Sequence, residues 1–444
     1  DPLDMLRTVA LVALLAGQTI QITTPHSVVN NINNINNSDL DPLRFNADGT
    51  FQICVFSDLH FAEDPSSIGP EKDARSAQIM ADVLDAELPD LVVLNGDLIS
   101  GESTYRENST HYVDQIVAPM VDRNLTWAST YGNHDHNRNI DGKEILEREQ
   151  SWPGARTDAM VSAPDAGTTN YYLPVYASDC NRNCTPELIL WFFDSRGGFY
   201  YQGRAQPNWV DTSVVVWFNR TNADLVEQYS KEIPSLAFVH IPLYASLILQ
   251  QDAGIDKNHQ PGINDEKVIQ QGQGWCAEGD NSGNCNYGDQ DLPLMRALLS
   301  KSGVIGLFSG HDHANSWCYK WGSKVGDMQV TGNGINLCYG QHTGYGGYGD
   351  WIRGGRQIIV TQEGLKYHEV DTHIRLETGD VVGRVTLNST YNEDFYEATP
   401  NQKTYLSDAS GSDSESYTVI YKGKRSIFSS PFAVIIAAIV WSML

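Results

Sequence analysis

Apolar positions along the chain gather in short, strand-length blocks, each ending in a burst of polar residues. Phe51–Phe56 stops at Ser57-Asp58-Leu59-His60, Leu91–Leu94 at Asn95-Gly96-Asp97, and Leu125–Tyr131 at Gly132-Asn133-His134-Asp135. Between the first two blocks Ile79, Met80, Val83 and Leu84 fall at helical spacing, which predicts a helix over Ala74–Glu87; a second is predicted over His111–Asp122. Further strands are predicted over Glu187–Asp194, Leu236–His240 and Val304–Ser309, the last running into Gly310-His311-Asp312-His313. Strand–helix alternation of this kind predicts an α/β fold, and the polar bursts fall at the carboxyl ends of strands, where open α/β sheets place their ligands. Gly334–Cys338, Gln357–Thr361 and Val381–Leu387 have little helix between them and predict a second, mixed or antiparallel sheet closing the same core. No internal repeat is present.

The ends of the chain read differently. Arg7 precedes an apolar run, Val9–Ala16, and then Gly17, which predicts a secretory signal peptide over residues 1–21, with 1–4 an upstream extension if Met5 is the initiator. Residues 22–46 are Asn-rich and aperiodic and predict a disordered leader. The main domain is expected over 47–390, followed by a polar linker over 391–426 and an apolar tail over 427–444. Small polar residues, a spacer and a terminal apolar run form the pattern of a GPI-attachment signal, with a terminal membrane helix as the rival reading. The membrane is otherwise not an expected partner.

Composition supports that placement. With 444 residues and 41% hydrophobic content the chain can bury a large core, while a formal net charge of -25 repels phosphate backbones and argues against nucleic acid as a partner. Glycosylation sequons occur at Asn36, Asn108, Asn124, Asn183, Asn219 and Asn388. Six of the seven cysteines lie in close pairs, Cys180 with Cys184, Cys276 with Cys285 and Cys318 with Cys338, and are disulfide candidates in an oxidising compartment, although spacing leaves their connectivity open. Cys54, inside an apolar strand, is expected to be a buried free thiol. An extracellular or cell-surface protein of the secretory pathway fits these features together.

The chemistry lies in the strand-end bursts. Two histidines one residue apart can aim at one centre only where the backbone turns, and Gly310 permits that turn. Taken in order, Asp58-x-His60, Gly96-Asp97, Gly132-Asn133-His134-Asp135, His240 and Gly310-His311-x-His313 resemble the calcineurin-like metallophosphoesterase superfamily over about Phe51–Leu387. Phe238–Leu243 and Ile335–Gly340 are similar to the atypical purple-acid-phosphatase-like proteins of plants and fungi. The resemblance implies a four-layer α/β/β/α sandwich of two mixed sheets. It implies that Asp58, His60 and His313 hold one metal, that Asn133, His240 and His311 hold another, and that Asp97 bridges them. Imidazole, carboxylate and amide oxygen suit Fe, Mn or Zn, and no cysteine joins the set. True purple acid phosphatases carry a tyrosine three residues after the bridging aspartate; Ser100 stands there, and His60 is present, so an ordinary, uncoloured first-metal site is implied.

The implied reaction is hydrolysis of a phosphate ester by a hydroxide shared between two metals, with a phosphomonoester as the leading substrate. A phosphodiesterase or nucleotidase, or a metal-binding surface protein without turnover, are the alternatives. His134 is the candidate general acid, with Asp135 or another carboxylate to orient it. The glycine-rich stretch Gly340–Gly355 offers Tyr345 and Arg353 as candidate contacts to phosphate or leaving group.

Overall fold

A computed structural model describes residues 40–404 apart from 182, 199, 202–203, 206 and 269–286. The signal-peptide and tail readings, Asn36 and the Cys276/Cys285 pair fall outside these residues.

Strands buried on both faces need cover on both faces, and the chain supplies it in four layers. One sheet has six strands: β2 (Thr50–Phe56), β3 (Leu91–Asn95) and β4 (Trp127–Thr130) run parallel, and β13 (Gly354–Thr361), β14 (Val370–Leu376) and β15 (Val381–Leu387) extend it antiparallel in the order β15-β14-β13-β2-β3-β4. The other has seven, in the order β1-β5-β6-β9-β10-β12-β11. Its members are β1 (Leu43–Arg44), β5 (Tyr171–Tyr176), β6 (Leu188–Phe193), β9 (Ser235–Val239), β10 (Val304–Ser309), β11 (Cys318–Trp321) and β12 (Ile335–Tyr339). A short hairpin of β7 (Tyr200–Tyr201) and β8 (Arg204–Ala205) stands apart.

The period-2 alternation of strand side chains decides which layer each residue joins. Leu188, Leu190 and Phe192 meet Ile53, Val55, Leu91 and Val93 between the sheets. Ile189, Trp191 and Phe193 point the other way, into a core with α4 (Thr212–Tyr229) and α5 (Leu292–Leu299). On the outer side of the six-stranded sheet α1 (Gly69–Glu87) packs on β2 and β13, α2 (His111–Val121) on α1, and α3 (Gly142–Glu149) on α2. The expected α/β/β/α sandwich of two mixed sheets is therefore present.

Four expectations are corrected. The late strands do not form a sheet of their own: β13 and β15 join the early strands, and β12 pairs parallel with β10. Helix α1 begins at Gly69, five residues before the expected start, because its first turns bury polar Asp73 and Ser76 instead of apolar residues. Asp73 accepts from the Ala62 backbone, and Ser76 accepts from that of Tyr345. The leader does not extend to residue 46, since Leu43 and Phe45 are buried and β1 pairs with β5. Nor does a linker begin at 391. Tyr391 is buried with its hydroxyl on the Cys318 carbonyl, the Ile352 amide donates to Gln402, and Trp351 bridges Lys403.

Cys180–Cys184 and Cys318–Cys338 are disulfide-bonded, and Cys54 is free and buried, its thiol pushed up by burial. Among the described residues no helix is long and apolar enough to cross a membrane.

Candidate metal centre

Five loops leave the carboxyl ends of β2, β3, β4, β9 and β10 and meet above the two sheets. They are tied edge to edge by backbone hydrogen bonds: Asp58 and His60 donate to the carbonyls of Gly96 and Asp97, and Gly310 donates to that of His240. This lacing holds Asp58, His60, Asp97 and His311 at φ values of 57, 47, 50 and 76°. Such left-handed positions cost on the order of 1 kcal/mol each for residues other than glycine and cluster where a site over-determines the backbone.

Glycines allow the close approach. A Cβ on Gly96 would stand 2.3 Å from His240 Nδ1, and one on Gly132 2.3 Å from Asp97 Oδ1.

The seven residues expected to ligate metal are all buried and face one another. Side-chain donor atoms of Asp58, His60 and His313 lie within 4.8 Å of each other, as do those of Asp97, His240 and His311. His60 Nε2 is 3.3 Å from His313 Nε2, His240 Nε2 is 3.1 Å from Asp97 Oδ2, and His313 Nε2 is 3.6 Å from Asp58 Oδ1.

The outward nitrogens are already used. His240 Nδ1 donates to the Asn95 carbonyl at 2.8 Å and His313 Nδ1 to the Tyr348 carbonyl at 2.8 Å, so in the neutral ring Nε2 carries the lone pair. His60 Nδ1 meets Ser100 Oγ at 3.1 Å. Asn133 Oδ1 and His311 Nε2 are buried without a hydrogen-bond partner, and His240 Nε2 faces only the Asp97 carboxylate, at 3.1 Å. Lone pairs converging on one another without donors are a poor hydrogen-bond arrangement and a good cation site, so the residues fit a pair of metal ions.

Electrostatics agree. Burial and the charge of His240 push His311 down to about 3, and burial with the charge of His134 pushes His60 well below the usual histidine range. Both rings are therefore neutral donors. Burial works against a charged His240, but Asp97 and Asp58 outweigh it and raise that ring to about 10. It keeps a proton where a cation would otherwise balance the carboxylates, so metal uptake must release that proton.

A cavity of about 290 Å³ opens onto the centre, walled by His60, Asp97, Asn133, His311 and His313 together with Glu63, His134, Gly347 and Tyr348. His134, Glu63 and Tyr348 are among its partly exposed members; the side chain of His134 is 24% accessible.

Of the carboxylates expected to orient His134, Asp135 is corrected and another takes the role. Asp135 is fully buried and accepts from the backbones of Leu98, Ile99 and Gly132, clamping two strand-end loops together. Glu102 instead takes His134 Nδ1 at 2.6 Å and also accepts from Asn137. Burial disfavours the charged His134 ring, yet the charge of Asp97 and the Glu102 hydrogen bond raise it to about 9.

The substrate contacts expected at Tyr345 and Arg353 are also corrected. Both are buried away from the cavity. The Tyr345 hydroxyl donates to Glu377, and the Arg353 guanidinium lies 5.3 Å over the Tyr345 ring and donates to the carbonyls of Trp351 and Gly349. Tyr348, three residues on from Tyr345, reaches the cavity instead. Glu102, Glu63 and Gly347 carried no motif; only the crowding of glycines around Tyr348 marked that loop as one that comes close to something.

Residues 51–315, more than half of the chain, match the family described as calcineurin-like phosphoesterase. The chain is 29% identical over 346 residues to a protein of Arabidopsis thaliana named probable inactive purple acid phosphatase 29, across 72% of this chain and 78% of that one. It is 26% identical over 312 residues to phosphatase DCR2 of Saccharomyces cerevisiae, across 66% of this chain and 48% of that one. Among solved structures, a dimetal phosphatase from Danio rerio aligns with a TM-score of 0.45 at 12% identity, over 78% of this chain and all but 1% of that one, since 99% of it is covered. The match runs through every loop that feeds the centre, and this chain belongs to the calcineurin-like phosphoesterase family.

Proposed function

We propose that this protein is an active phosphoesterase that uses two metal ions to hydrolyse phosphate monoesters outside the cytosol. The observation that carries the reading is the intact donor set: seven buried side chains from five loops converge, with the Oδ1 of Asn133 and the Nε2 of His311 lacking a hydrogen-bond partner. That set also speaks for turnover, although a relative bears the word inactive in its name.

Bound cations would supply charge neutralisation at the phosphoryl oxygens and acidify a water nucleophile. The chain's own part is to hold and move a proton. His134 sits at the cavity wall with its ring 4.8 Å from that of His60, and Glu102 fixes its Nδ1. From there the protonated imidazole donates to the departing alkoxide. The His134 backbone amide, donating to Asp97 Oδ1 at 2.8 Å, keeps acid and metal carboxylate in register.

A second reading, hydrolysis of diesters, is favoured by one feature. Among the described residues that wall the cavity there is no lysine or arginine, so a monoanionic ester asks less of the site than a dianionic one. For the compartment, the two disulfides and the exposed sequon residues Asn124 and Asn183 support the secretory pathway.

The test is metal analysis of the purified protein beside turnover of aryl phosphate mono- and diesters with Mn or Zn. Two metals per chain with monoester turnover support the proposal. Metal without turnover of any ester sinks it in favour of a silent metal-binding protein, and diester turnover alone moves it to the second reading.

A further inference from the structure

His313 is gripped on both faces of its ring and at its outer nitrogen. Its ring is flanked by His342, with centroids 3.8 Å apart, and by Tyr348, at 4.0 Å and an interplanar angle of 7°. The Tyr348 carbonyl accepts His313 Nδ1 at 2.8 Å, which leaves Nε2 as the nitrogen that faces Asp58 and His60.

The Tyr348 hydroxyl accepts from the His313 amide at 3.2 Å and donates to Glu266 at 2.9 Å. Glu266 in turn accepts from the Ala314 amide at 2.7 Å. One tyrosine thus fixes the plane of the ring, its tautomer and the backbone that carries it. The neighbouring residue makes this possible: a Cβ on Gly347 would stand 2.4 Å from His313 Cε1 and 2.8 Å from His60 Cδ2.

The rest of the centre is held otherwise. His240 leans on the Asn95 carbonyl at the end of β3, and among the described residues the His311 ring meets that of His240, at 5.4 Å, and no stacked tyrosine. Among the described residues, the half containing His313 is the one that depends on a segment reaching in from after β12.

We propose that Tyr348, braced by Glu266, is a positioning residue that sets the metal affinity of the half formed by Asp58, His60 and His313, and leaves the half formed by Asn133, His240 and His311 unaffected. This rests on the two-metal reading above. Residues that orient a metal-bound histidine typically contribute about 10–100-fold to affinity.

The experiment is zinc titration of the metal-free, full-length protein by calorimetry, with His313→Ala marking which of two binding steps belongs to that half. In Tyr348→Ala the step marked by His313→Ala is expected to weaken by about 10–100-fold while the other stays unchanged. Tyr348→Phe keeps the stacked ring and loses both hydroxyl bonds, so it should weaken the same step by about 2–10-fold, and Glu266→Gln should act on that step too. Nitrogen shifts of His313 in the metal-free protein provide a readout that mere loss of stability would not move. The wild type should show one fixed tautomer, protonated at Nδ1, and Tyr348→Ala, which keeps the carbonyl that accepts Nδ1 but loses the ring and hydroxyl contacts that hold it against the imidazole, a mixture.

Equal weakening of both steps, or an unchanged marked step in the milder Tyr348→Phe and Glu266→Gln variants together with an unchanged tautomer, overturns the proposal while the two-metal reading stands. A wild-type protein that binds no zinc and no manganese overturns both.

Discussion

The two halves of the metal centre are built by different means. The half with Asn133, His240 and His311 is made by strand ends and the turns immediately after them. His240 follows β9 directly, its ring rests on a carbonyl of β3, and glycines 96 and 132 admit it to the seam. The half with Asp58, His60 and His313 is closed by a loop some thirty residues further along the chain, where Gly347 and Tyr348 lie against the imidazoles. A strand end is positioned by the sheet's own hydrogen bonds, whereas a loop needs contacts of its own. Rigidity in the first case comes with the fold, and in the second it is added by one residue after another.

Asp97 Oδ2 faces both halves, 3.1 Å from His240 Nε2 and 3.7 Å from His60 Nε2, so on the two-metal proposal replacing it should break them together. Asp97→Asn is expected to lower kcat/KM by at least about 10²–10³-fold and to reduce bound metal at both sites, read by turnover and elemental analysis. A variant that keeps two metals and near-normal rate would mean that Asp97 is no bridge.

His134 sits where the halves meet, and its loss should act on chemistry with metal content intact. His134→Asn is expected to cost about 10²-fold or more in kcat. Glu102→Gln should cost less, and it should also move the pH profile. A proton donor is lost as pH rises through its pKa, and in the metal-free protein, against burial, Asp97 first and Glu102 after it raise that of His134 to about 9. Removing the Glu102 charge therefore shifts the alkaline limb of kcat/KM to lower pH; an unmoved limb would assign that limb to another group.

The glycines separate the halves. Gly96→Ala places a Cβ on His240, and Gly347→Ala places one on His313 and His60, each at a positive φ, 88 and 73°. Each should destabilise by about 1–3 kcal/mol and empty chiefly its own half, seen in thermal melts and metal titration. Loss of both metals in both variants would show that the halves are not separable.

The smallest effect is expected at Tyr345. Tyr345→Phe removes its hydrogen bond to Glu377 and should cost about 1 kcal/mol of stability with KM unchanged. A raised KM would return Tyr345 to the substrate.

This contrast between halves also marks how much was legible beforehand. The motif residues Asp58, His60, Asp97, Asn133, His240, His311 and His313 announce themselves because metal chemistry needs oxygen and imidazole donors at strand ends, and few other uses need them in that order. Strands β2, β3, β6, β9 and β10 were legible for a related reason: burial on both faces leaves nearly unbroken apolar runs. The early turns of α1 escaped periodicity because their inward residues, Asp73 and Ser76, are polar and serve neighbouring loops. Segment 391–404 reads as linker in the sequence because polar composition does not disclose that Tyr391 and Lys403 pack.

What the sequence by itself determined is the kind of chemistry and the architecture that carries it, since both follow from residue type and local order along the chain. What only the tertiary structure decided is the partnership of each group. Asp135 lies next to His134 in sequence yet clamps backbone, while Glu102, thirty-two residues away, holds the ring. Tyr345 and Arg353 turned inward and Tyr348 turned to the cavity, although all three share one loop. Hydrogen bonds and ring contacts act over a few ångströms in space, and separation along the chain says little about that distance until the loops are folded against one another.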